Sequence, residues 1–434
     1  MITHRKGWCP GALQPMQSGD GLIVRLRITG GVLTPSRARA LAQCAETFGN
    51  GLLDLTSRGN LQLRGVIKEK LSPLQARLDA LGLLDEDPAA EAIRNILASP
   101  LAGIDPSALI DVRQQIRTLD ARLRKDKALH LLPGKFLFVI DDGGCLPLPI
   151  EAADIAFVAM GRKDDPRFAV YLAGKFAGAC ATDELGETAA RLAIAFLRLR
   201  DSDTDRMVDL VRCGNADAIA KAAELQHMPA SAAPARRARP RVPGFHHLGD
   251  YTALGLGLPF GRFDSASLQF IADATEAAGG SLRLTPWRAI LIVAERIDAS
   301  LAERLRDAGF ILDEDAPIRS VAACSGKPAC LNGETAAQAD AARLASHAAK
   351  LTSGGIALHV SACTKGCAHA SPAPITLVGH DGAYDLVLNG RANDKPALTG
   401  LTPASVECLL DRLAKIAPEG RAAFVKTLFN ETAQ

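Results

Sequence analysis

The chain has 434 residues, of which 48% are hydrophobic and 23% charged, and its formal net charge at pH 7 is only +2. This composition is that of an ordinary globular protein, and so small a charge argues against a nucleic-acid-binding protein. No run approaches eighteen apolar residues, the N-terminus lacks the apolar stretch of a secretory signal, and the ten cysteines are scattered, so we expect a cytoplasmic protein without a membrane span and with roughly two to four domains.

The hydrophobic pattern of residues 18–85 predicts a unit with the order β-α-β-β-α. Its strands are GLIVRLRI, GLLDLTS and NLQLRGV, and its first helix has Thr34 or Ser36 near the N-cap and Gly49 near the C-cap. The same order recurs at 250–313, where GSLRLTPWRAILIVAE aligns with GLLDLTSRGNLQLRGV. Repetition of such a unit indicates that the two copies pack around a pseudo-twofold axis.

The segments that follow the two copies also correspond to each other. KFLFVID, DIAFVAM, FAVYLAGK and a helix follow the first copy, and IALHVSA, PITLVG, YDLVLNGR and a helix follow the second. The sequence therefore predicts an α+β fold with a duplicated two-domain architecture. The predicted segments are the first unit at 1–88, its following domain at 89–226, an exposed Pro-, Ala- and Arg-rich linker at 227–244, the second unit at 245–315 and its following domain at 316–434.

Four cysteines form two tight pairs in loop-like segments. Five residues separate Cys324 from Cys330 in VAACSGKPACLNGE, and three separate Cys363 from Cys367 in ALHVSACTKGCAHA. Four thiolates suit zinc or an iron–sulfur cluster. Zinc-binding pairs usually have about two to four intervening residues. The wider first spacing therefore favours a [4Fe–4S] cluster.

A second set of residues is basic or carries an amide, and the repeat would gather it near one centre. Arg25 and Arg27 alternate with apolar residues on one predicted strand, so their side chains share a face. Arginines there lower stability unless they meet anions, and a planar guanidinium suits carboxylates. The set predicts a ligand with several carboxylates, and the alternative is a group of solvated charges at the rim of a sheet. Its members are Arg25, Arg27, Arg58, Gln62, Arg64, Arg94, Asn95, Lys135 and Arg288.

Together these features resemble the nitrite/sulfite reductase superfamily, whose haemoproteins carry C-x5-C and C-x3-C pairs for a [4Fe–4S] cluster on a doubled framework. Within it, the strings RKGWCPGALQPMQSGDG, DLTSRGNLQLRGV, RNILASPLAGID and LLPGKF are similar to those of the precorrin-3B synthase subfamily. The resemblance implies two ferredoxin-like half-domains, each followed by a nitrite/sulfite reductase-type α+β domain, with the iron–sulfur cluster in the last domain.

The resemblance also implies roles for individual residues. The fourth basic position around the reducible anion of the sulfite reductases is Leu137 here, which argues against the reductase interpretation. The Asn-bearing string of the reductases is TPWRA here, and Gly–Arg after the last cysteine is Ala368–His369. The implied residues are the cluster ligands Cys324, Cys330, Cys363 and Cys367, the catalytic residues Arg27, Arg94 and Lys135, and the substrate-binding residues Arg25, Arg58, Gln62, Arg64, Asn95 and Arg288.

As an activity, the resemblance implies a monooxygenase of aerobic cobalamin biosynthesis that hydroxylates precorrin-3A at C20 with O₂ and closes a γ-lactone. The tetrapyrrole is then a substrate, the cluster passes electrons from an external donor or reductase, and the subfamily is described as also using a mononuclear non-haem iron. Two alternatives stay open, namely a sirohaem-dependent sulfite or nitrite reductase and a non-catalytic iron–sulfur protein that binds a tetrapyrrole. No G-x-G-x-x-G string follows a predicted strand, and we expect a monomer.

The ligands of a mononuclear iron are not evident in the sequence. Such an iron commonly takes two histidines and a carboxylate. We interpret His246, His247, His359 and His369 as surface or packing residues, and Cys9 of GWCPG as an ordinary turn cysteine.

Overall fold

The computed structural model describes residues 9–203, 205–351 and 355–432. Its contacts divide the chain into two compact units, each of mixed α and β structure, and the predicted α+β class is confirmed. The boundaries of the five predicted segments stay predictions. The first unit contains the described residues up to Met16, Leu22–Gly257 and Phe263–Leu312, and the second contains Gln17–Gly21, Leu258–Arg262 and the described residues from Asp313 onward.

The described residues form twenty strands and twelve α-helices. The strands are β1 (Met16–Ser18), β2 (Gly21–Leu26), β3 (Val32–Leu33), β4 (Leu52–Leu55), β5 (Leu61–Val66), β6 (Ile96–Ala98), β7 (Phe138–Asp141), β8 (Ile155–Arg162), β9 (Asp165–Leu172), β10 (Lys175–Ala181), β11 (Gly244–Leu248), β12 (Tyr251–Gly257), β13 (Arg262–Asp264), β14 (Ser281–Leu284), β15 (Ala289–Ala294), β16 (Val321–Ala323), β17 (Leu358–Ser361), β18 (Ala373–His380), β19 (Ala383–Gly390) and β20 (Leu398–Leu401). The helices are α1 (Pro35–Phe48), α2 (Leu71–Ala80), α3 (Pro88–Ile93), α4 (Arg113–Lys125), α5 (Leu185–Leu199), α6 (Met207–Arg212), α7 (Ala216–Ala222), α8 (Ser265–Ala277), α9 (Ala299–Asp307), α10 (Ala337–Ala348), α11 (Pro403–Ala414) and α12 (Arg421–Thr432).

The repeated unit forms two five-stranded sheets with the same strand order. The orders are β1-β2-β5-β4-β13 and β11-β12-β15-β14-β3. Each copy therefore supplies one short strand to the sheet of the other, and Leu33 of β3 pairs with Leu282 of β14. Reciprocal exchange of this kind is what a pseudo-twofold relation between the two copies requires.

The first helices of the two copies lie against each other. Helix α1 begins as its sequence predicts, because Thr34 is the N-cap, its hydroxyl accepts a bond from the Arg37 amide at 3.2 Å, and Pro35 stands at the first helical position. The N-cap of α8 is Asp264, whose carboxylate accepts a bond from the Ser267 amide. Arg39 of α1 joins the two helices through an ion pair with Asp273 at 2.6 Å.

The two domains that follow the repeats also share one topology. Their sheets have the orders β10-β9-β8-β7-β6 and β16-β17-β18-β19-β20. In each sheet the first three strands in sequence are parallel and the last two antiparallel. The predicted duplication therefore extends beyond the repeated unit to the following domain.

Within the first unit, the sheet that contains β12 and β15 packs on the sheet that contains β7 and β8. The shared core is apolar and includes Leu137, Val139, Leu291, Val293 and Trp287. Leu137 is 3% exposed. The residue that stands at the fourth basic position of the sulfite reductases is thus a packing residue in this chain.

The predicted linker at 227–244 is partly held by the first unit. Arg237 donates to the Asp141 carboxylate at 2.5 Å, and Val242 is fully buried in the core just described. Much of the remaining segment is exposed, as its composition indicates. None of the described helices combines the length and the apolar character that crossing a membrane needs.

Candidate active site

The two cysteine pairs lie in loops that leave neighbouring parallel strands. Cys324 directly follows β16, Cys363 follows β17 by two residues, and Ala323 is paired with Val360 across the two strands. Because the carboxyl ends of adjacent parallel strands lie at one edge of a sheet, both loops start at the same edge. The Ala362 amide donates to the Cys324 sulfur at 3.2 Å. The loops that carry the two cysteine pairs thus leave the same edge of one sheet.

The electrostatics of Cys324 indicate that Cys363 and Cys367 lie near its sulfur. Burial raises the pKa of the Cys324 thiol, the Ala362 amide opposes this effect, and negative charge on Cys367 and Cys363 raises the pKa further. Neighbouring thiolates repel each other, so the cationic core of an iron–sulfur cluster would stabilise their deprotonated form.

The loop that carries Cys330 is fixed by its own backbone. The Cys330 amide donates to the Gly326 carbonyl at 2.8 Å, and the Lys327 amide donates to the Thr335 carbonyl at 2.8 Å. Gly326 has φ +62°, and a Cβ there would lie 2.6 Å from the Ala337 amide nitrogen. Only glycine fits this position. The donor set and its fixed loop fit a [4Fe–4S] cluster held by Cys324, Cys330, Cys363 and Cys367.

The first copy of this domain has the same loop with different side chains. Ser99 follows β6 as Cys324 follows β16. In each copy the amide of this residue donates to a carbonyl of the neighbouring strand. The Asp142 amide donates to the Ser99 hydroxyl at 2.9 Å, as the Ala362 amide donates to the Cys324 sulfur. Serine therefore takes the position of the first cluster cysteine.

The loop has the same length in both copies, so its remaining positions can be aligned residue by residue. The Leu109 amide bonds the Asp142 carbonyl at 2.9 Å, and the Glu334 amide bonds the Ala362 carbonyl at 2.9 Å. Both donors are ten residues beyond the loop start, from Ser99 to Leu109 and from Cys324 to Glu334. The first copy keeps the cluster scaffold without its thiols, since Asp105, Gly143 and Pro147 stand where the second copy has Cys330, Cys363 and Cys367.

Part of the predicted basic set gathers on the sheet formed by β2, β5 and β4. Arg25 donates from Nε and Nη2 to the Gln62 side-chain oxygen at 2.9 and 2.6 Å. Arg64 is 2% exposed and pairs with Asp54 at 3.2 Å. Arg25 thus has a neutral acceptor and keeps its full charge for a ligand, whereas Arg64 is already neutralised by its own sheet.

Arg27 is the most deeply buried cation of this face that lacks a close carboxylate. Its Nε donates to the Asn95 side-chain oxygen at 3.4 Å, and the nearest carboxylate, Glu91, is 3.9 Å from Nη1. Within the described ranges, Arg27 Nη1 is buried without a hydrogen-bond acceptor. Burial lowers the pKa of Arg27 to about 10. A bound anion would relieve this cost.

Arg58 has a similar unmet donor. Its Nη2 donates to the Lys135 carbonyl at 3.0 Å, and its Nη1 is buried without an acceptor in the part of the chain that the structure describes. Burial lowers the pKa of Arg58, and the positive charge of Arg206 adds to the effect. The Lys135 side chain is exposed. Arg206, which the sequence pattern does not single out because it follows no motif, belongs to this basic region.

Arg94 is bound by its own chain. It donates to Asp85 at 2.9 and 2.7 Å and to Asp120 at 2.5 Å, and it is 5% exposed. Arg319, two residues before β16 as Arg94 is two residues before β6, is a half-buried arginine that pairs with Glu314 at 2.9 Å. Because both copies have an arginine paired with carboxylates at this position, Arg94 has a structural role. Any effect of Arg94 on a ligand would come from holding neighbouring residues in place.

Arg288 corresponds to a glycine of the first copy. Counted from β4 and β14, it matches Gly59, and Trp287 matches Arg58. Arg288 has φ +55° and Gly59 has φ +68°. A left-handed conformation costs a non-glycine residue roughly 1–2 kcal/mol. Trp287 is buried in the apolar core, so the second copy has no counterpart of the Arg58 guanidinium.

Of the four histidines singled out in the sequence, one pair comes together and two lie elsewhere in the described chain. His359 is fully buried and its ring lies 5.7 Å from that of His369, His246 bonds the Val242 carbonyl, and the ring of His247 stacks on Phe245. Among the described residues, three potential metal-ligand side chains come within 4.8 Å of one another at one group, which has one histidine and two carboxylates: Glu334, His380 and Asp381.

Comparison with known proteins gives two matching families. The nitrite/sulfite reductase ferredoxin-like half domain matches residues 14–81 and 246–303, and the nitrite and sulphite reductase 4Fe-4S domain matches residues 89–195. The first result identifies the repeat found above. The second match covers the copy whose loop lacks the four cysteines, so it identifies the scaffold, while the thiols lie in the other copy.

Individual relatives agree with these families. The chain is 34% identical over 413 residues to a precorrin-3B synthase of Sinorhizobium sp., a match that covers 92% of this chain and 86% of the relative. It is 34% identical over 180 residues to a ferredoxin–nitrite reductase of Leptolyngbya laminosa, which covers 40% of this chain and 35% of that protein. In fold it is similar to the NirA protein of Mycobacterium tuberculosis, with a TM-score of 0.74 at 21% identity over 92% of this chain and 81% of that one.

Proposed function

The chain belongs to the nitrite/sulfite reductase superfamily, and from this premise we propose that it is a monooxygenase of the precorrin-3B synthase type. Its substrates are precorrin-3A and O₂, and its product carries a new hydroxyl at C20 and a γ-lactone closed by the ring A acetate. The observation that carries the proposal is the 34% identity to a precorrin-3B synthase across 92% of the chain.

Arg25, Arg27 and Arg58 form a group of arginines that is called the guanidinium face below. This face supports a substrate with several carboxylates. Arg25 has a neutral acceptor, and buried Nη1 groups of Arg27 and Arg58 have no acceptor among the described residues. Acetate and propionate groups supply acceptors for such donors, and charge-assisted bonds of this kind contribute about 1.5–3 kcal/mol each. Gln62 and Asn95 orient Arg25 and Arg27 through their side-chain oxygens.

The remaining predicted residues take supporting roles in the proposal. Arg64 and Arg94, neutralised by their own carboxylates, hold the sheet and the loop in place. Lys135, whose side chain is exposed, would contribute charge at the edge of the site, and Arg288 is kept as a proposed substrate contact at the turn between β14 and β15. The four loop cysteines would hold a [4Fe–4S] cluster, which when bound passes single electrons from an external donor. Oxygen activation is assigned to no residue of this chain.

The decisive experiment is isotopic. Anaerobically purified protein, supplied with precorrin-3A and a reductant under ¹⁸O₂, should give a product with one ¹⁸O atom, found by mass spectrometry. A Cys330→Ser variant serves as the control without an intact cluster and should form no labelled product. A product that carries oxygen from water, or no product from cluster-loaded protein, would overturn the proposal.

A sirohaem-dependent nitrite or sulfite reductase is the second candidate, because ferredoxin–nitrite reductases are among the relatives. The burial of Leu137 in an apolar core argues against it, since the anion site of the sulfite reductases has a basic residue there. The absorption spectrum separates the two functions. Isobacteriochlorin bands that survive desalting, together with reduction of sulfite or nitrite, would establish the reductase.

A further inference from the structure

The segment that carries Cys9 is tied firmly to the guanidinium face. The Arg25 amide of β2 donates to the Gly11 carbonyl at 3.2 Å. The Ala12 and Leu13 amides both donate to the Glu91 carboxylate, at 2.6 and 3.1 Å. Cys9, two residues before the first of these contacts, is therefore held beside the strand that carries the arginines.

The thiol of Cys9 faces this group of arginines. Cys9 is half-buried, and its thiol interacts electrostatically with the guanidinium groups of Arg25, Arg27 and Arg58. The interpretation of Cys9 as an ordinary turn cysteine is therefore incomplete. Sequence spacing could not have shown this, because Cys9 and Arg58 are far apart in the chain.

The same place shows that an acceptor is missing. Arg27 is 6% exposed, and its Nη1 has no acceptor among the described residues. Arg58 Nη1 is also buried without an acceptor among the described residues. The Glu91 carboxylate is 3.9 Å from Arg27 Nη1 and already accepts bonds from the Ala12 and Leu13 amides. The Asp154 carboxylate, which acts on Arg58, is paired with Arg206. A buried guanidinium with an unused N–H indicates that an anionic group belongs there.

We propose that Cys9 is a ligand-contacting residue of this site, and that a carboxylate of the bound tetrapyrrole accepts the unused Arg27 and Arg58 donors and thereby covers the Cys9 thiol. The inference deepens the proposed function, because its occupant is the tetrapyrrole of that function. In this proposal, a carboxylate oxygen bound to these guanidinium groups lies beside the Cys9 thiol, which interacts with the same groups.

Alkylation of the cluster-loaded wild-type protein tests the inference. Under argon, the Cys9 sulfur attacks the methylene carbon of iodoacetate or iodoacetamide, a sulfur–carbon bond forms, and iodide leaves. Peptide mass spectrometry follows each cysteine separately, with the exposed Cys213 and Cys408 as internal references. Uroporphyrin, an octacarboxylic porphyrin, serves as the ligand, and its absorbance shift measures binding independently.

Two results are expected. With uroporphyrin at about ten times its Kd, the alkylation rate of Cys9 should fall about tenfold while Cys213 and Cys408 react as before. Without ligand, the ratio of anionic iodoacetate to neutral iodoacetamide should be several-fold higher at Cys9 than at the references, because positive charge concentrates the anionic reagent. Arg25→Gln should lower that ratio, and the exposed Arg77→Gln on α2 should not.

The contrary results are equally distinct. Porphyrin that binds by absorbance and leaves Cys9 alkylation unchanged would overturn the inference, as would an absence of porphyrin binding. Protection of Cys9 together with no ¹⁸O incorporation would leave this inference standing and remove the proposed oxygenase activity. Labelled product without protection of Cys9 would overturn this inference and leave the proposed oxygenase activity standing.

Discussion

The Leu137→Lys substitution tests whether this chain can accommodate a lysine at the position where the sulfite reductases have one. Leu137 is 3% exposed in the core shared by the sheets of β7 and β15. The nearby carboxylate of Asp154 already accepts bonds from the Arg206 guanidinium and from the Leu137 amide, so it cannot serve as a free counter-ion for the new ammonium. The lysine would therefore be buried uncharged or would open the core.

The expected cost follows from two terms. Burial of a leucine side chain contributes about 1.5–3 kcal/mol, of which the lysine stem recovers a part. Keeping a lysine neutral at pH 7 costs about 1.4 kcal/mol per pH unit below its ordinary pKa, or up to about 5 kcal/mol. We expect a loss of about 4–6 kcal/mol in the free energy of unfolding. The unfolded chain binds more protons than the folded variant, so the deficit should shrink as pH rises toward 10.

Urea unfolding followed by tryptophan emission measures this loss. Trp287 lies in the same core, and a Trp8→Phe background leaves it as the only tryptophan. Leu131→Lys is the matched control, since Leu131 is 66% exposed and should change stability by less than about 0.5 kcal/mol. A Leu137→Lys protein within 1 kcal/mol of the parent, or one with a fully charged lysine at pH 7, would refute the reasoning.

Three further results are expected. Cys324→Ser should lose most of the iron and acid-labile sulfide, whereas Cys145→Ser, outside the four ligand positions, should keep both by chemical analysis; a full complement in the first variant would refute the ligand assignment. Arg94→Met removes the buried partner of Asp85 and Asp120, which still pair with Arg124, and should cost about 1–3 kcal/mol in urea unfolding; a loss below about 0.5 kcal/mol would contradict the structural role. Burial raises the pKa of Asp142 to about 6 from 3.8, so the unfolded chain binds fewer protons between these values and stability falls as pH rises through them. Asp142→Asn should remove this dependence and add roughly 1–3 kcal/mol at pH 7, with no gain below about pH 4; an unchanged pH profile would count against it.

Local patterns in the sequence were sufficient for the repeat and the cysteine loops. Strand alternation, the Thr34 cap and the two cysteine pairs are set by neighbouring residues, so they can be interpreted without a three-dimensional structure. The same is true of the duplicated α+β class. What the alignment of strings could not supply was the exchange of β3 and β13, because strands of two and three residues have no periodic signal.

The basic site was only partly predictable for a related reason. Whether an arginine faces a ligand or a carboxylate of its own chain depends on residues distant in sequence. Arg94 has a close partner in Asp120 of α4, whereas the Glu91 carboxylate lies 3.9 Å from Arg27, yet the two positions look alike in the sequence. The role of Leu137 likewise depends on a distant part of the sequence, because β15 covers its side chain.

The ten-residue loop that holds Cys324 and Cys330 has one more consequence. Its counterpart after Ser99 keeps the same length and the same closing backbone bond with no cysteine at the four ligand positions, so no metal is needed to give the loop its shape. The cradle is therefore preorganised, and little chain entropy remains to be lost when iron and sulfide enter. We therefore expect a cluster that binds the four thiols to order little further backbone in this loop.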